Sequence, residues 1–274
     1  RLGFTRMSIG IQSFHADELT RLGRVHTPET AGLALQTVGA DGRFQFSGDL
    51  IFGVPGQTEA SFLASLSALL DYNPDHVSFY GLTIEEGTEF ARQKASGALT
   101  MLEDGVYNGM YTAGVELLRS RGYERYEVSN FSKPGRPSLH NQGYWNSVEY
   151  LSFGPGAHSY FAGKRTVSPR SFEGYLEWGS RAFDRASCVE EFLTTDNLVS
   201  EAVLLGLRQA SGVDLERLHA LSFELPETVL RKWEKVGMMA LEPGRIRLVG
   251  EGWLFLDEIG SDLLARGIPK TVSL

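Results

Sequence analysis

FQFSGDLIFGVPGQ, Phe44 to Gln57, is the stretch that decides the fold. Its first part mixes aromatic, branched and small residues, then runs into Gly53-Val54-Pro55-Gly56, so it predicts a strand closed by a tight turn. Thr58 follows as a helix cap, and Phe62, Leu63, Leu66, Leu69 and Leu70 fall on one helical face until Asn73-Pro74 ends it. Upstream, RMSIGIQSF (Arg6 to Phe14) reads as a buried strand, and a short helix fits Asp17 to Gly23. Thr27-Pro28-Glu29 then opens a helix to about Val38, with Pro at the first helical position. Downstream, HVSFYGLTI (His76 to Ile84) is a third strand. A long helix over about Glu103 to Arg121 carries Tyr107, Met110, Tyr111, Leu117 and Leu118, and Gly122 stops it. Strands alternating with helices predict parallel βα units. Polar residues cluster at the strand ends, Gln12, Asp49, Thr83 and Glu85, and ligands of such sheets gather at the carboxyl ends, which places Gln12, Asp49 and Thr83 around one mouth.

The pattern changes near residue 165, which predicts two domains, 1–165 and 166–274. From Thr194 the chain reads as mainly helical: Asn197 to Arg208, Asp214 to Leu221 and Pro226 to Val236. A hairpin, ALEPGRIRLV (Ala240 to Val249), and a last helix near Trp253 to Leu264 complete a winged-helix arrangement. Such folds often bind DNA. Here Glu201, Glu216, Glu224, Glu227, Glu234, Asp257 and Glu258 argue for an accessory lid or docking domain instead.

Composition agrees with a packed globular chain: 42% of the 274 residues are hydrophobic and 22% charged, enough for a core in one or two domains. A net charge of -8 argues against nonspecific binding to nucleic acid. No apolar run approaches the length of a membrane span, and RLGFTRMSIG lacks the charged-then-apolar order of a leader. Cys188 is alone, so no internal disulfide forms, which fits a reducing cytosol and predicts a cytoplasmic location. The first residue is Arg1 rather than Met and a strand follows almost at once, so the chain is read as lacking its natural beginning.

Single motifs leave alternatives open. GVPGQT is either a phosphate-binding loop or a tight βα turn, since it lacks the Lys and Ser/Thr of a P-loop. Asp49 can accept from two ribose hydroxyls or cap the next helix. Gln12 can contact the same sugar or sit as a satisfied amide at the mouth. Arg24 can clamp a carboxylate or stand as a solvated cation. His140, in HNQGYW after the turn-rich SNFSKPGRPSL, is expected to be exposed; it is either a loop histidine bonded to backbone or a ligand of haem iron beside Asn141, Tyr144 and Trp145. His158, in FGPGAHSY, is a turn histidine or a second polar contact. The other histidines have no metal-cluster spacing, and neither H-E-x-x-H nor G-x-S-x-G occurs.

Taken in order, SIGIQSF, RLGRVHT, GDLIFGVPGQT, NPDHVSFYGLTIEEGT, YEVSNFSKPG, HNQGYW and FGPGAHSY resemble the oxygen-independent coproporphyrinogen III oxidase family of radical SAM proteins over nearly the whole chain. His140, Asn141, Tyr144 and Trp145 match the HNxxYW hallmark of its haem chaperone branch. The resemblance implies an α/β fold, the C-terminal part of a partial (β/α)6 radical SAM barrel followed by a mainly helical, winged-helix-like domain. It implies S-adenosylmethionine and a 4Fe-4S cluster as cofactors. Gln12 and Asp49 would contact the ribose of S-adenosylmethionine, Arg24 would hold its carboxylate, and Thr83 would lie beside the adenosine. His140 would be the haem ligand, hence the one metal ligand; no catalytic residue is assigned. The implied function is delivery of haem to an acceptor protein. The alternative is the oxidase reaction, which decarboxylates propionates of a porphyrinogen to vinyl groups, and a third reading is a remnant that retains only a folded portion. The family's C-x3-C-x2-C cluster motif and glycine-rich motif are missing, so the chain matches from the fourth barrel strand onward and is expected to have open sheet edges.

Overall fold

The computed structural model describes residues 3–181, 184 and 188–269; Arg1 and the tail 270–274 lie outside them. The chain forms two compact units, Arg1–Ser138 and Leu139–Leu274. The divide falls ahead of the change of pattern expected near residue 165, because the HNQGYW segment belongs to the second unit.

In the first unit, β1 (Arg6–Gln12), β2 (Gln45–Phe52) and β3 (His76–Gly81) are parallel neighbours, as the strand–helix alternation predicts. The short α1 (Ala16–Arg21) and longer α2 (Pro28–Asp41) connect β1 to β2, and α3 (Glu59–Asp71) connects β2 to β3. The caps are those read from sequence. Thr27 with Thr30 and Thr58 with Ser61 exchange side-chain-to-backbone hydrogen bonds as capping boxes. After α4 (Glu89–Ala95) and α5 (Asp104–Ser120), the chain adds a hairpin of β4 (Glu124–Glu127) and β5 (Asn130–Ser132). β5 pairs antiparallel with both β3 and β4, giving the order β1-β2-β3-β5-β4 with β1 and β4 at the edges. The sheet is open: among the described residues, β1 and β4 do not pair with each other.

Alternation divides the sheet into two faces. Phe46, Leu50, Phe52, Val77, Phe79 and Phe131 form the apolar face, which packs on Phe62, Leu66 and Leu69 of α3 and Met110 and Tyr111 of α5. Phe79 is the centre, with ring centroids 4.9 Å from Phe131 and 5.6 Å from Phe52, Phe62 and Tyr111. Gly48 lets α3 approach, since a Cβ there would run into Leu69. The opposite face is polar and carries the candidate site.

The second unit begins with α6 (Leu139–Trp145) and an antiparallel sheet of β6 (His158–Phe161), β7 (Lys164–Val167) and β8 (Val189–Phe192), with α7 (Phe172–Ser180) between β7 and β8. The winged-helix arrangement then follows: α8 (Thr195–Arg208), β9 (Val213–Asp214), α9 (Leu215–Ala220), the two-residue β10 (Phe223–Glu224), α10 (Glu227–Lys235), β11 (Met239–Glu242) and β12 (Arg245–Leu248). β9 joins the wing hairpin as a third strand, a feature too short to leave a periodic signal. α11 (Leu256–Arg266) and β13 (Ile268–Pro269) close it, and β13 pairs with β10. Among the described residues, no helix is long and apolar enough to cross a membrane.

Candidate functional site

The polar face of the first unit is built by every second residue of its strands: Ser8 and Gly10 on β1, Ser47 and Asp49 on β2, His76 and Ser78 on β3. Asp49 lies within β2, three residues before its end, so the expectation of a strand-end carboxylate is corrected. The strand continues because Leu50 and Phe52 still bury their side chains on the other face. Both Asp49 oxygens accept hydrogen bonds: Oδ2 from Ser8 Oγ at 2.7 Å and Oδ1 from Ser47 Oγ at 3.2 Å. A carboxylate has about four lone-pair sites. It therefore retains capacity for a diol.

Gln12 ends β1 in the left-handed region, φ 67°, where a bulge shifts the register against β2. That turn folds its amide back over Gly10, the residue paired with Asp49; a Cβ on Gly10 would meet Gln12 Nε2. Gln12 and Asp49 are thus brought to adjacent positions on adjacent strands. Thr83 lies exposed just past β3, where the Leu82 amide bonds to Phe52 at the end of β2. Arg24 is exposed on the loop after α1. His26, two residues on, hydrogen-bonds through Nε2 to the Ile11 carbonyl at 3.0 Å and ties that loop to the end of β1. All four residues belong to the carboxyl-side half of one sheet and its loops.

GVPGQT is a tight turn. Gly53 and Gly56 both take positive φ, and Gln57 turns inward rather than toward a phosphate. Gln57 Nε2 donates to the buried carboxylate of Glu18, which also accepts from Ser13 Oγ at 2.6 Å and Ser61 Oγ at 2.7 Å. This node locks the loops after β1 and β2 together. A cavity of about 750 Å³ opens outside it, lined by Arg21, Pro55, Thr88, Phe90 and Gln93, and none of the four predicted residues lines it.

His76, a histidine without metal-cluster spacing in the sequence, is buried on this face. It is 2% exposed, with Nδ1 2.8 Å from Ser47 Oγ and Nε2 2.6 Å from Tyr126 Oη. Burial, and then the charge of Arg6, pushes its pKa down to about 3, so its imidazole is neutral. Burial first of all raises the Tyr126 phenol to about 12. The available signal was the period-two recurrence of Ser47, Asp49, His76 and Ser78 in otherwise apolar strands.

In the second unit, HNQGYW is a helical turn rather than the loop expected from its context. The spacing gives two pairs four residues apart: His140 with Tyr144, and Asn141 with Trp145. His140 is exposed, as expected, and its ring meets Tyr144 edge-on at 4.8 Å. Tyr144 in turn meets Tyr150 at 4.8 Å, and Tyr150 bridges to Tyr160 on β6. Trp145 lines a small cavity of about 130 Å³ beside Gly206, Asp214 and Arg217, and Arg217 donates to Ser147 Oγ at 3.1 Å. His158 is the exposed first residue of β6. FGPGAHSY is fastened by Ser168, whose Oγ donates to the Gly154 carbonyl and accepts from the Ala157 amide.

The donor sets test each implied group. An adenosyl diol fits Asp49 and the Gln12 amide. An iron–sulfur cluster does not fit this chain: Cys188 is its only cysteine, and no group of three or more His, Cys, Asp or Glu placed to hold a metal occurs among the described residues.

No protein-family model matches the chain. It is 35% identical over 262 residues to the heme chaperone HemW of Mycobacterium tuberculosis, covering 96% of this chain and 66% of that protein, just under two thirds of the relative's length. It is 31% identical over 262 residues to the heme chaperone HemW of Bacillus subtilis, covering 94% of this chain and 69% of the relative. It is 33% identical over 297 residues to the mitochondrial radical S-adenosyl methionine domain-containing protein 1 of Danio rerio, covering 98% and 66%. Among solved structures, coproporphyrinogen III oxidase (HemN) of Escherichia coli, a radical SAM enzyme, superposes with a TM-score of 0.71 at 18% identity, covering 95% of this chain and 64% of that one. That likeness establishes the fold alone, one shared with about two thirds of that enzyme's chain. With 31% identity over 94% of this chain and 69% of the Bacillus relative, the chain belongs to the HemW family.

Proposed function

We propose that this chain binds haem through His140 and passes it to an acceptor protein. The observation that carries the reading is the exposed imidazole at the head of a Tyr144–Tyr150 ring ladder. An accessible imidazole can ligate haem iron, and the neighbouring rings offer flat apolar surface to a macrocycle. The winged-helix-like domain 166–274 is the docking element of this proposal. Alongside it, the strand face of the first unit takes the adenosyl part of S-adenosylmethionine. Asp49 accepts from the ribose hydroxyls, Gln12 bonds to the same sugar, Thr83 borders the adenosine, and Arg24 pairs with the carboxylate. When bound to a cluster, that cofactor supplies radical chemistry in the family; the residues of this chain contribute binding and orientation. A cytoplasmic location belongs to the same proposal and is supported by the single cysteine.

Titration with haem, followed by the Soret absorbance, tests the reading. His140→Ala is expected to abolish the shift or weaken binding at least tenfold, while circular dichroism stays unchanged. Equal titration curves for the two proteins would remove His140 from the site.

A further inference from the structure

One direction of the hydrogen bonds from Asp49 to Ser138 satisfies every contact along the polar strand face at once. Asp49 is acceptor-only when ionised, so Ser47 spends its single proton on Oδ1. The 2.8 Å contact between Ser47 Oγ and His76 Nδ1 then requires the proton on Nδ1. His76 Nε2 is left as the acceptor and takes the Tyr126 hydroxyl proton at 2.6 Å. Tyr126 Oη accepts in turn from the backbone N–H of Ser138 at 3.2 Å. The same strap is held a second time, by Arg6 Nη2 donating to the Arg136 carbonyl at 2.7 Å and the Pro137 carbonyl at 3.1 Å. Ser138 stands two residues before His140.

We propose that Asp49 sets the direction of a hydrogen-bonded chain, Ser47–His76–Tyr126, that ends on the Ser138 amide. His76 and Tyr126 are therefore positioning residues that join the adenosyl face to the Ser138 amide at the end of the first unit. A ligand that draws on Asp49 weakens its hold on Ser47, and each following bond adjusts, because bonds in a buried chain polarise one another. This consequence for ligand binding rests on the adenosyl reading above; the direction of the chain does not.

Long-range proton–nitrogen NMR of the isotopically labelled 274-residue protein reports which His76 nitrogen carries the proton. The wild type is expected to show Nδ1–H. Asp49→Asn offers Ser47 an amide donor and is expected to reverse the chain, moving the proton to Nε2. Ser47→Ala removes the Nδ1 partner and is expected to give the same Nε2–H form, which covers a failure of Asp49→Asn to fold. Nε2–H in the wild type, or Nδ1–H that persists in either variant, overturns the proposal. Added S-adenosylmethionine is expected to shift the Ser138 amide resonance in the wild type and to leave it in place in Ser47→Ala. Binding that leaves the wild-type amide unmoved refutes the coupling. Absence of binding refutes the adenosyl reading, and the tautomer still decides the chain.

Discussion

His76 and Glu18 show how much one buried polar residue can govern. Unfolded, His76 takes up a proton near pH 6.5; folded, it does so only near 3. Between those values the unfolded state binds more protons, so stability falls as the pH drops, by up to about 1.4 kcal/mol per pH unit. Urea midpoints at pH 7 and pH 5 should separate clearly in the wild type and converge in His76→Asn; an unchanged separation would assign the acid sensitivity elsewhere. Glu18 is 4% exposed and satisfies donors from Ser13, Gln57 and Ser61. Glu18→Ala strands those donors and is expected to cost about 3 kcal/mol, read as a lower urea midpoint at unchanged slope. Neither residue was legible as important. A lone His in a strand and a lone Glu in a short helix look ordinary until the fold surrounds them.

At the level of elements, α10 and α11 are clamped through one carboxylate. Asp262 accepts from Lys232 Nζ at 2.8 Å, Arg266 Nε at 2.7 Å and the buried Trp233 indole at 2.9 Å. The Lys232 hydrogen bond is foremost in holding its pKa down to about 2. The folded value lies below the ordinary 3.8, so this contribution is present above pH 4 and is lost as the pH falls through 2. Asp262→Ala leaves the Trp233 N–H unpaired and should lower stability by about 2 kcal/mol, with a change in tryptophan emission; a variant as stable as wild type would show the clamp to be idle. Helix boundaries set by caps, such as Thr58 for α3, could be read directly because the cap is local chemistry. The β4–β5 hairpin and its place between β3 and β4 could not, since strand order depends on partners far away in sequence.

For the whole molecule, the cysteine count sets a limit. Reconstitution of this chain with iron and sulfide is expected to leave no stoichiometric cluster, measured by iron content and charge-transfer absorbance, because Cys188 alone cannot supply the family's three thiolates. One cluster per chain would mean that other ligands serve. The two units carry different parts of the proposed function: strand-face polarity in Arg1–Ser138 and the His140 helix in Leu139–Leu274.

Sequence by itself determined the parallel βα order, the capped helices, the wing hairpin and the residue types at the site. Each follows from periodicity, caps or a motif written within a few neighbouring residues. It left GVPGQT open between a phosphate loop and a turn, placed Asp49 at a strand end, and treated HNQGYW as a loop. Tertiary structure decided those. Gln57 turns inward because a buried Glu18 requires donors. Asp49 sits mid-strand because the alternate residues of β2 have a core to fill. The chain from Asp49 to Ser138 exists only where three strands and a hairpin set side chains far apart in sequence within hydrogen-bond reach, a proximity that no local pattern encodes.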